Sequence, residues 1–385
     1  MKRTGSLHTF LLCAFLIAII CLTPLPVLGL PSNTSTSSMG ITSYGTISYS
    51  PTTPPQGLLG LHVDGTHLKD SDGNIVVLRG VSDSSTTWLD YGINDENQFI
   101  YMQAWGCNAV RVTVADWDIR AGCLTDPNFW AGLDNVINWA GAHGLYVILN
   151  GFHPAGTCPH GYLAVDCAHY MTVDFPWASW IAMWQQYATR YKDKTNILYE
   201  LMSEPIDCDY ATYQTQTRAC IDAIRAIDPD CVIFVHAVDA TTAYDCTFAF
   251  ESSYPISRPN IVYTYHVYSF NMAGNTKSAI QNRIAHTEAY TLLSSGKCVM
   301  PTEFGPGGNG AENNWEPVPW TGSYDETWLN NYMDVMEADG FAGYAAWRWC
   351  TSTYDTTFNL LADWNGNPTA YGQVIRNYLL AHPTP

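Results

Sequence analysis

From residue 58 onward, short apolar runs rich in β-branched side chains alternate with longer stretches whose apolar positions recur every three or four residues. The short runs cover residues 75–81, 109–114, 145–150, 197–202, 232–236, 261–266, 298–302 and 343–347, and each has the length of a buried strand. Between them the spacing predicts helices over 129–142, 177–191, 213–227, 277–293 and 327–338, with 371–380 closing the chain. Strands and helices alternating eight times describe an α/β chain wound into a closed (β/α)8 TIM barrel. An open doubly wound sheet usually carries a glycine-rich phosphate loop after its first strand, and VSDSSTTW holds none. Ahead of the first barrel strand, LHVDGTHLKDSDGNIVVLRG sets extended runs around Asp and Gly turn residues, which predicts an N-terminal β-hairpin.

The N-terminal residues break this pattern. Lys2 and Arg3 precede the apolar run FLLCAFLIAIICL, and Pro24, Pro26 and small residues ending at Gly29 follow it. These are the three parts of a secretory signal peptide, expected over 1–29. The run falls short of the roughly 20 apolar residues that a membrane span needs. Residues 30–57 are rich in Ser, Thr, Pro and Gly without hydrophobic period, which predicts a flexible linker. Asn33-Thr34-Ser35 within it is a glycosylation sequon. The folded domain is expected over 58–383, exported and with no membrane contact once the signal is cleaved.

Composition sharpens this picture. Hydrophobic residues make up 47% of the 385, ample for one large core, and the formal net charge is −18. The few Lys and Arg form no basic stripe, which argues against nucleic acid as a partner. Cys13 and Cys21 leave with the signal, while Cys107, Cys123, Cys158, Cys167, Cys208, Cys220, Cys231, Cys246, Cys298 and Cys350 remain. An even number in an oxidising compartment predicts disulfides, with Cys158 and Cys167 as the first candidate pair. Neither Cys-x-x-Cys nor His-x-His occurs, so no metal or other cofactor is expected.

Barrel enzymes place their chemistry where strands end and loops begin. Those positions hold Arg111 in the second strand, His153 after the third, Glu204 after the fourth, His266 and Tyr268 at the sixth, Glu303 at the seventh and Trp347 in the eighth. Two carboxylates from different strands, ringed by Arg, His, Tyr and Trp, suit glycosidic bond cleavage. One carboxyl protonates the leaving oxygen while the other attacks or activates water. Singly, each residue has a plainer reading: a Glu caps the next helix, a His makes a structural hydrogen bond, and a Trp packs in the core. Their coincidence at matching strand ends favours chemistry. Strand alternation puts Glu200 on the face of Glu204 but about 13 Å deeper, at roughly 3.3 Å per residue. It therefore reads as a buried structural acid in need of a partner such as an Arg.

The chain resembles glycoside hydrolase family 5, a large group of retaining β-glycanases on (β/α)8 barrels. LHVDGTHLKDSDGNIVVLRGVS resembles the family's opening, YELMSEP its fourth-strand motif, HVY its sixth, TEFG its seventh and LLADWNGNPTAYGQVIRNYL its ending. The resemblance implies that Glu204 is the acid/base and Glu303 the nucleophile. Arg111 and Tyr268 would hold the nucleophile ionised and oriented, and His266 would bond near the acid/base. His153 would contact the sugar before the cleaved bond and Trp347 would stack on it. Trp88, with Trp117, Trp177, Trp315 and Trp320, is a further candidate for stacking along a glycan groove. Two departures stand out. Ser203 occupies the place of the family's Asn, which donates to the sugar 2-hydroxyl, and Ser is shorter with a single donor. NGFHP is also spaced differently before its His. The implied function is a secreted, monomeric endo-β-1,4-glycanase, first an endoglucanase on β-glucan polysaccharide. Its alternatives are a β-mannan hydrolase and a non-catalytic glycan-binding barrel.

Overall fold

The computed structural model describes residues 57–383 except 84–92, 115–122, 152–170, 172–174, 207, 239–247, 270–273, 286–287, 307–322 and 352–355. The expected signal segment, residues 30–56 of the linker, and Trp88, Trp117, His153, Cys158, Cys167, Cys246, Trp315 and Trp320 lie outside the described residues.

A small antiparallel sheet comes first: β1 (Leu61–Asp64), β2 (His67–Asp70) and β3 (Ile75–Val76). Its second turn is built by Asp70, whose Oδ1 accepts the backbone N–H groups of Asp72 and Asn74, and by Gly73 at φ +88°. Eight strands follow: β4 (Leu78–Asp83), β5 (Ala109–Val114), β6 (Tyr146–Gly151), β7 (Ile197–Glu200), β8 (Ile233–His236), β9 (Ile261–Tyr268), β10 (Cys298–Gly305) and β11 (Gly343–Trp347). They pair in parallel in the order β10-β11-β4-β5-β6-β7-β8-β9, and β9 closes the barrel on β10. The described helices between and after them are α1 (Glu96–Ala104), α2 (Pro127–Ala142), α3 (Trp177–Tyr191), α4 (Tyr210–Arg225), α5 (Ala249–Ser253), α6 (Lys277–Ala285), α7 (Glu288–Ser294), α8 (Ser323–Asp339) and α9 (Ala370–Ala381). The expected (β/α)8 barrel with its hairpin is the observed architecture.

Local signals set these boundaries. Asp95, Asp126, Asp209 and Thr369 cap α1, α2, α4 and α9 by accepting a backbone N–H from the first turn. Three expectations differ in detail. The run 75–81 divides between β3, which pairs with β2, and β4, which enters the barrel. The stretch 277–293 forms α6 and α7 rather than one helix, and α1 and α5 were not anticipated because each is short and weakly periodic.

Most large side chains pack between the strands and the helices outside them, including Trp105, Trp180, Trp184, Trp328 and Trp349. A second apolar layer fills the barrel near the strand starts. Leu78, Ala109, Ile148, Leu198, Phe234, Val262, Met300 and Ala345 meet there, with Leu61 and Leu68 of the small sheet against them. The sheet thus stoppers the barrel at its N-terminal end, and the Tyr146 hydroxyl ties it down by donating to the Leu59 carbonyl at 2.7 Å. Gly80 is required in the wall, because a Cβ there would meet the Ala109 carbonyl oxygen at 2.0 Å. Among the described residues, no helix is long and apolar enough to cross a membrane.

The disulfide expectation fails for Cys107, Cys208, Cys220, Cys231 and Cys298, which are buried free thiols. A reduced Cys packs as a small apolar side chain, and these sulfurs fill core positions instead of crosslinking them. Burial pushes the thiols of Cys208, Cys231 and Cys298 up to about 12, leaving little reactive thiolate at neutral pH.

On the outer face of β7, the Tyr199 hydroxyl donates to Asp228 at 3.3 Å. Burial pushes the Asp228 carboxyl up from 3.8 to about 6. The folded state therefore holds a proton that the unfolded chain releases, and stability falls as pH rises through that window. Asp228→Asn is expected to raise Tm relative to wild type at pH 7. The gain should vanish near pH 4, as read by thermal melts at the two pH values.

Candidate active site

Inward positions on the strands alternate, so the upper half of the barrel is lined by every second residue. Arg111 of β5 occupies this upper half and is 0% exposed. A guanidinium in such a place is very costly unless its hydrogen bonds are met, and here all five N–H groups have acceptors. Nε and Nη2 grip both oxygens of Glu200, at 2.7 and 2.9 Å. Nη1 donates to Glu303 Oε1 at 2.6 Å and to Ser82 Oγ at 3.2 Å, and Nη2 donates also to Ser203 Oγ at 3.1 Å. Burial works to lower the Arg111 pKa, but the two facing carboxylates prevail and raise it above its ordinary value. Its charge is permanent.

Glu200 is the last residue of β7 and, like Arg111, 0% exposed. It is the buried acid with an arginine partner that strand alternation predicts. The alternation stops there, however. Glu204 is not on the same strand face, because β7 ends at Glu200 and the chain turns, giving Glu204 a φ of +45°. The turn is held from outside: the indole N–H groups of Trp180 and Trp184 of α3 both donate to the Leu201 carbonyl. A non-glycine residue at positive φ is strained, and such strain concentrates at functional sites.

Glu303 arrives by a different device. The pairing of β10 with β9 runs in register up to Pro301 and slips by one residue between Pro301 and Glu303. Such a bulge re-aims a side chain. Thr302 and Glu303, adjacent in sequence, both reach the interior network: Thr302 Oγ1 lies 3.3 Å from Glu200 Oε1, while Glu303 meets Arg111. The Tyr268 hydroxyl donates to the other Glu303 oxygen at 2.6 Å. Burial, then the Glu303 and Glu204 carboxylates, push the Tyr268 pKa well up, so it stays a donor.

His266 connects the two carboxylates. Its Nδ1 lies 2.7 Å from Glu204 Oε1 and 3.3 Å from Glu303 Oε2. Its Nε2 lies 3.3 Å from Thr302 Oγ1. Carboxylate oxygens of Glu204 and Glu303 come within 4.8 Å of each other. His236, the last residue of β8, packs edge-on to His266 with ring centroids 4.5 Å apart. Burial first, then His266, drive its pKa well below the ordinary value, so it is neutral.

The structure thus gathers Arg111, Ser203, Glu204, His266, Tyr268 and Glu303 at one end of the barrel. Trp347 ends β11 half-buried, and its peptide bond to Arg348 is cis. Trp177 opens α3 half-buried, packed against Phe175 and Trp180 at the edge of the core. Ser203 turns its oxygen to Arg111. Three contributors escaped the sequence reading: Ser82, His236 and Thr302. His236 ends a strand in the same way as the chosen residues, so the signal was present. Thr302 was hidden because alternation assigns adjacent residues to opposite faces. Two donor sets, Glu200–His236–His266 and Glu204–His266–Glu303, have ligand atoms within 4.8 Å of one another. Each includes a carboxylate already bound by Arg111, whose positive charge opposes a metal ion there.

Known proteins bear on this geometry. The family model described as Cellulase (glycosyl hydrolase family 5) matches residues 69–353. Endoglucanase E-5 of Thermobifida fusca is 28% identical over 305 residues, covering 77% of this chain and 57% of that protein. Endoglucanase MaCel5A of a Microbulbifer species is 26% identical over 309 residues, covering 77% and 54%. The chain therefore spans a little over half the length of these relatives. Among solved structures, the β-glucanase SdGluc5_26A of Saccharophagus degradans aligns with a TM-score of 0.68 at 21% identity, covering 88% of this chain and 99% of that one. The catalytic domain of Thermobifida fusca endoglucanase Cel5A, in complex with cellotetraose, aligns at 0.61 and 22%, covering 83% and 97%. At such identities the structural likeness concerns the fold.

Without Glu200 the Arg111 charge stays paired with Glu303, but two buried N–H groups of the guanidinium lose their acceptors, each a loss of about 1–3 kcal/mol. Glu200→Ala is expected to destabilise the protein by that order, read from urea unfolding midpoints at pH 7.

Proposed function

The chain belongs to the cellulase family, glycosyl hydrolase family 5, and on that premise we propose that it is a secreted endo-β-1,4-glucanase working by double displacement. Glu204 is the acid/base and Glu303 the nucleophile. The observation that carries this reading is the approach of their carboxylate oxygens to within 4.8 Å. Retaining pairs stand about 5–5.5 Å apart, whereas inverting pairs leave about 6.5–9.5 Å for a water molecule.

In the first step a Glu303 oxygen attacks the anomeric carbon as Glu204 delivers its proton to the departing glycosidic oxygen. A glycosyl-enzyme ester forms. In the second step Glu204 takes a proton from water, the water oxygen attacks the same carbon, and Glu303 leaves as carboxylate. Both oxygens of Glu303 accept a hydrogen bond at 2.6 Å, from Arg111 and Tyr268, which supports a carboxylate held in one orientation. Glu204 is the more exposed of the two, with 15% of its side chain accessible against 9%, as suits a group that exchanges protons with substrate and water. Trp347 offers an aromatic face at the end of β11 for stacking a sugar ring.

Glucan is favoured by the endoglucanase relatives, and secretion by the basic, apolar and small-residue succession at the N-terminus. Mannan remains a substrate to be tested because Ser203, beside the acid/base, is engaged by Arg111.

Reducing-end release is expected from carboxymethyl cellulose in excess of that from glucomannan and mannan. Binding without release on all three would overturn the enzyme reading. Glu204→Ala and Glu303→Ala should each lower kcat by at least about 10³-fold, in line with losing a nucleophile or a proton donor. NMR of the first-formed product should show the β-anomer, and an α-anomer would overturn retention.

A further inference from the structure

Thr302 lies at the junction of three other side chains beneath the reacting carboxylates. Its Oγ1 is 2.7 Å from Thr264 Oγ1, 3.3 Å from Glu200 Oε1 and 3.3 Å from His266 Nε2. Thr302 and Thr264 are both 0% exposed, so none of these contacts is shared with bulk solvent. A hydroxyl has one proton to give and two lone pairs to receive with. Glu200, held as a carboxylate in the two-point grip of Arg111, only accepts. With the Thr302 proton given to Glu200, the two lone pairs of Thr302 receive from Thr264 and from His266. That assignment uses the whole capacity of the hydroxyl with nothing left over. It also requires that His266 Nε2 carry a hydrogen.

We infer that Thr302 is a positioning residue that fixes the tautomer of His266 and thereby keeps a proton available on Glu204. With Nε2 protonated, the neutral ring presents a lone pair at Nδ1, 2.7 Å from Glu204 Oε1. The contact then needs one proton between the two atoms. That proton sits on Glu204 as a carboxylic acid, or on Nδ1 in the charged ring, and either way the pair holds the proton that the glycosidic oxygen receives. If Nε2 were bare, Nδ1–H would donate to Glu204 Oε1, a contact that favours the ionised carboxylate and so weakens the hold of Glu204 on the proton it must deliver. Thr302 touches no substrate atom in this scheme and acts through His266.

Among the described residues, charged or titratable groups facing the pair include Glu303 on β10, Glu200 on β7, Arg111 on β5, His236 on β8 and Tyr268 on β9. Substituting Thr302 changes the charge of none of them. A shift in the proton affinity of the pair on losing the hydroxyl is thus traceable to the hydrogen bond. The inference rests on the assignment of Glu204 as acid/base, but its first test does not.

The test begins with wild-type protein labelled with 15N-histidine, the His266 signals being assigned by their loss in His266→Asn. The ring is expected to carry hydrogen at Nε2 across neutral pH, and a neutral ring protonated only at Nδ1 overturns the proposal without any variant. In Thr302→Val, similar in shape but lacking the acceptor, the signal should change to the Nδ1–H form. The basic limb of the kcat/KM profile should move down by about one pH unit, the scale of one buried hydrogen bond. Thr302→Ser, which restores the hydroxyl, should return both readouts toward wild type. A folded Thr302→Val with unchanged tautomer and unchanged basic limb overturns the proposal. A wild type that cleaves no glycan overturns the glycosidase reading instead, and the tautomer still decides the role of Thr302.

Discussion

The saturation of Arg111 is the constraint on which the upper half of this barrel depends. Five N–H groups fan out in one plane, and acceptors on four other segments are placed to meet them: Ser82 at the end of β4, Glu200 on β7, Ser203 in the turn beyond it, and Glu303 on β10. No apolar side chain could organise so many elements at defined angles. The guanidinium is rigid and permanently charged, and a carboxylate that strays from it leaves a buried charge exposed to low dielectric. Position is therefore enforced on Glu200 and Glu303 together, although only one of them reaches the rim.

The two glutamates at the rim are presented in opposite ways. Glu303 is part of a strand and is locked by two short donors from fixed neighbours. Glu204 hangs on a turn in the left-handed backbone region, with the imidazole of His266 as its near partner. Rigidity suits an atom that must lie in line with a carbon. Access suits an atom that gives up a proton and takes it back. The division of labour proposed for two chemically identical side chains follows the backbone that carries each.

Much of this was legible in the sequence, and what was not has physical causes. The eight apolar runs marked the barrel strands because parallel strands are buried on both faces and carry continuous apolar signal. Arg111, Glu204, His266, Tyr268 and Glu303 were found because strand ends are where polar residues interrupt those runs. Ser82 was missed because a hydroxyl does not interrupt an apolar run strongly enough to be noticed, and Thr302 because the pleat assigns it to the face opposite Glu303. The extrapolated depth of Glu200 below Glu204 assumed a strand that continues, and the positive φ at Glu204 cannot be seen in residue identity. The cysteines misled because their count speaks of the compartment, whereas Cys107, Cys208, Cys220, Cys231 and Cys298 answer to packing.

The slip of register between Pro301 and Glu303 has a consequence for how β10 tolerates change in length. Below the slip, the strand's phase is set by apolar contacts with the barrel interior. Above it, two successive side chains are both claimed by polar partners on the same side. Insertion or deletion of one residue in a regular strand sends every side chain beyond it to the opposite face. Here a slide that keeps Glu303 at Arg111 withdraws Thr302 from His266, and a slide that keeps Thr302 displaces Glu303. Neither offset is neutral. The length of this segment is thereby fixed by two neighbouring codons, even though a strand's pleat alone would permit only one of them to face the site.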